Sequence, residues 1–399
     1  MSTFFDNDIG GPNFDVTAPR LSKIPRNIYQ ADERPVAVSE LPKDFYSSDA
    51  FTDRLLGYLN DRKTRDESRP FFAYLEFSAP HWPVQSPRSS REKYRGKYSH
   101  GPEYLRQTRL ANLKRMGLVA SDTVSAPVIL KAEDGQDCLA WEQMEPYDQE
   151  VSCRTMEAYA GMVDRLDWNI GRVLDALEAS GELEDTFIMV MSDNGAEGAM
   201  WEAQTLAAGA NLLEHIAKYH DNSLDNIGAA DSFAWYGPQW ASASTVQAHI
   251  TPGRIEKTFA TVMDVFPTLL ELSGTPIPVS SWKGREIAPV QGCSWLPYLR
   301  GEVSRIHDAD EVTGWELFGR MALRKGTYKA LFIPRPHGPE RWQLFNIELD
   351  PGETNDLAEH HPEKLADMIR DFQNYALENQ VIVQDSSVRD SWDSAATLS

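Results

Sequence analysis

Asp193 and Asn194 stand side by side in Ser192-Asp193-Asn194-Gly195, directly after the apolar run Phe187 to Met191. A carboxylate and an amide oxygen at one point of the chain suit a hard divalent cation such as Ca2+ or Mg2+, which takes oxygen ligands. The same residues also suit a tight turn, since Asn-Gly is a strong hairpin signal. Both readings stay open on these residues alone. A second position of chemical interest is His81, in Ala79-Pro80-His81-Trp82-Pro83, which comes after the apolar run Phe71 to Ser78. It is either a site histidine or a loop histidine between prolines. His215 and His220 lie in the long polar and aromatic stretch Trp201 to Trp240 and read as surface or core residues rather than ligands. A loop of that length inside a compact domain is usually functional.

Positioning these residues falls to the elements before them. Both apolar runs have strand length and read as fully buried strands of a parallel sheet. In open α/β sheets ligands bind beyond the carboxyl ends of the strands, which is where His81, Asp193 and Asn194 would stand. Ser152 to Ser180 carries the strongest helical pattern, with Tyr159, Val163, Leu166, Ile170, Val173, Leu174 and Leu177 recurring at spacings of three and four. Gly181 fits its C-cap. Helix followed by buried strand is the unit of a parallel α/β sheet. Ser47 to Asn60 predicts a capped amphipathic helix with Phe51, Leu55, Leu56 and Leu59 on one face, and Tyr104 to Leu118 a further helix. Within Phe259 to Ser273, Pro267 predicts a kink or a helix start. From about residue 300 the pieces Trp315 to Leu323, Thr327 to Ile333 and Trp342 to Phe345 are β-like, and Pro362 to Leu377 is helical. Together they predict a small antiparallel sheet under one helix.

Composition narrows the function classes. With 399 residues the chain can bury a large core. Lys+Arg 39 against Asp+Glu 60 gives a net charge of −21, which opposes binding to nucleic acid or to an anionic membrane surface. It does not oppose an anionic small molecule, because a bound metal inverts the local field. Cys138, Cys153 and Cys293 are odd in number and have no CxxC spacing, which argues against a disulfide framework or a zinc knuckle. The first residues carry no secretory signal pattern and no apolar run reaches membrane-spanning length, so the expected location is cytoplasmic, with room left for a true N-terminus upstream.

Four segments read together carry a resemblance. They are Phe71 to Pro83, Tyr159 to Leu174, Met191 to Gly198, and Trp342-Gln-Leu-Phe-Asn-Ile-Glu-Leu-Asp-Pro-Gly-Glu-Thr-Asn-Asp-Leu357. Their order and spacing resemble the sulfatase family, in particular its arylsulfatases, from about Leu41 to Val383. The last segment is close to a signature of sulfatase C-terminal subdomains. The resemblance implies an alkaline-phosphatase-like α/β sandwich around a large, mostly parallel sheet, with a small antiparallel C-terminal subdomain. It implies hydrolysis of sulfate esters, with a sulfated small molecule as substrate or ligand. The family nucleophile is a formylglycine made from Cys or Ser in a Cys/Ser-x-Pro-x-Arg motif. A divalent ion, Ca2+ or alternatively Mg2+ or Mn2+, is held by three aspartates and one Asn or Gln. Carried over residue by residue, Asp193 and Asn194 match the second metal-ligand pair, and His81 matches the sulfate-binding histidine.

The rest of that site is missing. Cys/Ser-x-Pro-x-Arg occurs nowhere in the chain, so no nucleophile is assigned. The apolar strand ending in Asp-Asp-x-Gly is absent too, as is the family's lysine segment, whose place is between about Trp240 and Lys257. Asp8 to Lys23 faintly resembles the family segment immediately downstream of the first metal strand. The gaps fall in blocks between intact flanks, the pattern left by lost coding segments or a truncated gene model. The expected organisation is an irregular N-terminal remnant over 1–40, a partial α/β catalytic domain over 41–299, a C-terminal sheet plus helix over 300–383, and a disordered tail over 384–399. The missing groups imply a weak ion site and impaired hydrolysis. The alternatives are a catalytically inactive relative that binds a sulfated or anionic ligand, and a superfamily phosphodiesterase or phosphonate hydrolase.

Overall fold

The computed structural model describes residues 29–37, 40–42, 44–62, 69–130, 138–196, 198, 216–218, 220–244, 258–317, 319–335 and 337–382. The expectations placed on Asp8 to Lys23, on His215 and on the tail from 384 lie outside the described residues. Two compact units emerge, one from Met1–Met116 with Pro127–Gln247, the other from Gly117–Ala126 with Ala248–Ser399.

The first unit opens with a short hairpin, β1 (Tyr29–Ala31) and β2 (Arg34–Val36). Helices α1 (Ser47–Arg62), α2 (Arg88–Arg91), α3 (Gly101–Arg115), α4 (Pro146–Ser180) and α5 (Gly237–Ser244) come next. Helix α4 is the spine. Its 35 residues begin with Pro146, whose missing N–H costs nothing in a first turn. It stops at Gly181, whose φ of 75° lets Gly181 and Glu182 donate to the carbonyls of Glu178 and Leu177. It runs six residues further toward the N-terminus than the periodicity indicates, because Pro146 to Val151 carry start signals rather than an apolar stripe. One face of α4 admits α2 closely: a Cβ on Gly161 would lie 2.8 Å from the Arg91 backbone and 2.6 Å from Ser86 Oγ. The core of this unit is built from Ala79, Val84, Ala158, Met162, Ile227 and Ala234.

The second unit contains α6 (Val265–Leu272), the two-residue strands β3 (Ser281–Trp282) and β4 (Arg285–Glu286), and α7 (Leu296–Leu299). Strands β5 (Val312–Leu317), β6 (Arg320–Lys325), β7 (Tyr328–Phe332) and β8 (Trp342–Asn346) come next, then α8 (Pro362–Glu378). Each of β5 to β8 pairs antiparallel with the next, with Gly314 opposite Leu323, Leu323 opposite Ala330 and Ala330 opposite Leu344. Met321, Leu323, Phe332, Trp342 and Leu344 face Met368, Ile369, Phe372 and Ala376 of α8. Burying one such side chain contributes about 1.5–3 kcal/mol, and this layer buries a contiguous set of them.

Three expectations about elements are corrected. Phe71 to Ser78 and Phe187 to Met191 are not strands, and among the described residues neither is paired with a neighbour. Phe72, Tyr74 and Val190 are 76%, 77% and 66% exposed. A parallel strand exists only through partners on its flanks, and the described residues supply none to these runs. Trp315 to Leu323 is not one piece: Gly319, with φ 78°, turns the chain between β5 and β6. Pro267 sits buried in the first turn of α6, two residues after its start and in keeping with the expected helix start, where its missing N–H has no intrahelical partner to lose. Among the described residues no helix is long and apolar enough to cross a membrane.

Candidate functional site

Asp193 and Asn194 come after α4 and the extended run that it feeds. Thr186 Oγ1 donates to Glu182 O at 2.7 Å, tying the start of that run to the helix end. Beyond Met191 the chain bends. Asn194 Nδ2 donates to Asp193 Oδ2 at 2.9 Å, and Ser192 Oγ donates to Asn194 O at 2.9 Å. Both side chains are exposed. The arrangement presents a carboxylate and an amide side by side in a turn. Calcium takes six to eight oxygens. Asp193 belongs to no group of three potential ligands among the described residues. The described residues therefore do not fit a closed site for the ion.

His81 is held by a more extensively hydrogen-bonded loop. Its peptide N–H donates to Ser78 O at 3.0 Å, and the Ala79-Pro80 and Trp82-Pro83 bonds on either side are cis. Its ring Nδ1 lies 2.6 Å from Trp82 O, so Nδ1 carries a proton and donates it. The next residues lie against the 228–234 segment: Val84 N–H donates to Ala234 O at 2.8 Å and Ser86 N–H to Gly228 O at 2.9 Å. The buried Gln85 amide donates to Ser232 O at 2.6 Å. His81 and the Asp193-Asn194 pair thus sit in the same unit on separate supports, one packed into a core and one exposed.

A second set of chemical groups lies in the other unit, and sequence reasoning missed it. Asp264, fully buried, accepts hydrogen bonds from Thr261 N–H at 2.6 Å and Cys293 N–H at 2.8 Å. Its Oδ2 also lies 2.8 Å from His307 Nε2, while His307 Nδ1 lies 2.8 Å from Glu311 Oε1. Burial pushes the Asp264 carboxyl up, yet the Cys293, His307 and Thr261 donors outweigh it and hold the carboxyl below its usual range. Burial pulls His307 down, but its hydrogen bonds to Asp264 and Glu311 outweigh that and raise it. Asp264 and His307 are far apart in the chain, and no local pattern pairs them. The only sequence cue is the crowding of Asp308, Asp310 and Glu311 just after His307.

The family model described as Sulfatase matches residues 2–275. The chain belongs to the sulfatase family. It is 40% identical over 378 residues to an uncharacterized sulfatase of Schizosaccharomyces pombe, covering 89% of this chain and 66% of that protein. It is 30% identical over 280 residues to an arylsulfatase of Klebsiella aerogenes, covering 64% of this chain and 56% of that protein. The solved structure of a putative sulfatase from Bacteroides fragilis is 16% identical, covers 89% of this chain and 64% of its own, and overlays with a TM-score of 0.48. The chain therefore spans less than two thirds of each of these relatives. Membership makes it a chain of a hydrolase family that uses a divalent metal.

Proposed function

We propose that this chain carries the scaffold of a sulfate-ester hydrolase of arylsulfatase type, with turnover impaired by the lack of a formylglycine precursor. In this reading Asp193 and Asn194 are the retained pair of a divalent-metal edge, and His81 contacts the sulfate group. The observation that carries it is the adjacency of an exposed carboxylate and amide in one turn, within a chain matched as a sulfatase over 2–275. His81 suits its role because a ring whose Nδ1 is committed to Trp82 O is fixed in orientation by its own loop. With two oxygens the pair supplies an ion weakly, and the remaining ligands would be water. The ligand class is a sulfated small molecule.

The absence of Cys/Ser-x-Pro-x-Arg favours a second reading, an inactive relative that binds a sulfated or otherwise anionic ligand. Nucleophile and positioning groups act as a unit, so loss of the nucleophile lowers turnover by orders of magnitude. One experiment separates the two. The purified chain is given a chromogenic aryl sulfate with Ca2+ or Mn2+, and its melting temperature is recorded with the same ester. Turnover that disappears in Asp193→Ala supports the hydrolase. No turnover, with ligand stabilisation that disappears in His81→Ala, supports the binder. Neither turnover nor stabilisation removes both.

A further inference from the structure

One ring nitrogen of His307, the thiol sulfur of Cys293 and a carboxylate oxygen of Glu311 lie within 4.8 Å of one another, all in the second unit. From this cluster we infer a zinc-class metal site, distinct in its residues from Asp193 and Asn194, in which Cys293, His307 and Glu311 are the protein ligands. Sulfur, nitrogen and oxygen donors together suit Zn2+, whereas Ca2+ and Mg2+ take oxygen alone.

The surroundings are built for it. Asp264 accepts from His307 Nε2 at 2.8 Å, so Nδ1 is the nitrogen turned to Glu311. A carboxylate behind a ligating imidazole fixes its orientation and raises its basicity. The Asp264 carboxylate is itself fixed by the Thr261 and Cys293 peptide N–H groups. Gly292 permits that contact: its φ is 90°, and a Cβ there would lie 2.5 Å from Met263 O. Glu311 returns over His307 through a turn in which its N–H donates to Asp308 O at 3.1 Å.

Tetrahedral zinc with a sulfur ligand near 2.3 Å and a nitrogen near 2.0 Å separates neighbouring donors by about 3.5 Å. The Glu311 side chain, 41% exposed, has room to draw back that far from His307. Binding then releases two protons, one from the Cys293 thiol and one from between His307 and Glu311. With three protein ligands, the fourth position of a bound ion would be left to water. The acidic neighbours Asp308 and Asp310 add to the attraction for a cation.

The test uses the full chain freed of metal by chelation. Zn2+ is titrated against a chromogenic chelator, and Co2+ is used as a spectroscopic substitute. The expected result is one zinc per chain and a thiolate-to-cobalt charge-transfer band. Cys293→Ser abolishes the band, and both Cys293→Ser and Glu311→Gln weaken zinc binding at least about tenfold. Asp193→Ala leaves the zinc stoichiometry unchanged, which separates this site from the proposed sulfate edge. A cobalt spectrum without the thiolate band, or a Cys293→Ser protein that binds zinc as tightly as the parent, overturns the assignment and leaves an ion-pair knot.

Discussion

Arg165 on α4 holds Asp49 on α1 with two parallel hydrogen bonds, Nε to Oδ1 at 2.8 Å and Nη2 to Oδ2 at 2.7 Å. Asn169, fully buried one turn along, donates to the same Oδ1 at 2.8 Å. The Arg165 guanidinium also lies over the Trp168 ring, 3.7 Å from its centroid. A planar fork meeting a carboxylate at two points sets direction as well as distance. The pair fixes how α1 crosses the spine of the first unit. Asp49→Ala leaves Asn169 and Arg165 without this acceptor and is expected to cost about 1–3 kcal/mol. Asp53, 62% exposed and paired to Arg172, is the control, with an expected loss below about 1 kcal/mol. Urea unfolding midpoints of the two variants check the difference.

Asp356 gives the second unit an acid-sensitive point. Its carboxylate accepts from Leu344 N–H at 3.1 Å, Ala358 N–H at 3.0 Å and Arg341 Nη1 at 2.8 Å. Burial raises its pKa, but those donors outweigh burial and lower it. A depressed carboxyl contributes stability that is present above the unfolded value of about 3.9 and is lost as pH falls through the folded value. Asp356→Asn should therefore be less stable than the parent at neutral pH, with the gap closing as the solution is acidified below about pH 4. Denaturant midpoints across that range test it, and a gap that stays constant contradicts it.

Gly314 in β5 lies under Tyr375 of α8. An added Cβ would stand 2.5 Å from the ring Cδ1 and 2.6 Å from Cε1. Gly314→Ala is expected to destabilise by about 1–3 kcal/mol through overpacking, despite the better strand propensity of alanine. Combining it with Tyr375→Leu should recover part of the loss, which a thermal unfolding series would show.

Cys153 should be chemically quiet. It is buried, its thiol donates to Tyr98 O at 3.4 Å, and burial followed by the Glu157 charge pushes its pKa up to about 11. Thiolate is the reactive form, so at pH near 8 alkylation of Cys153 in the native chain should run about a hundredfold slower than for an ordinary thiol. Peptide mapping after timed iodoacetamide treatment reads this directly, with the half-buried Cys138 as comparison.

Sequence and structure agree where local signals carry the fold. Tyr159 to Leu177 repeats at helical spacing over a length that only a helix explains, and Gly181 ends it. The strands around Ala330 and Leu344 are legible because turn residues separate short apolar and aromatic pieces. Phe71 to Ser78 and Phe187 to Met191 mislead because an apolar run reports a preference for burial and says nothing of a partner. At the candidate site the same division holds. Asp193 and Asn194 are neighbours in the chain, so their pairing is directly legible. Asp264, Cys293 and His307 meet only through folding, and nothing in the residues beside each one names the other two.

The order of β5, β6, β7 and β8 along the chain is also their order in space, and α8 comes directly after to cover them. Two, two and nine residues separate successive strands, so little chain entropy is spent before the next contact rewards it. Topologies of this kind fold fast. After dilution from denaturant, the β5 to α8 layer is expected to gain hydrogen-exchange protection early, on a timescale set by hairpin closure rather than by long-range search.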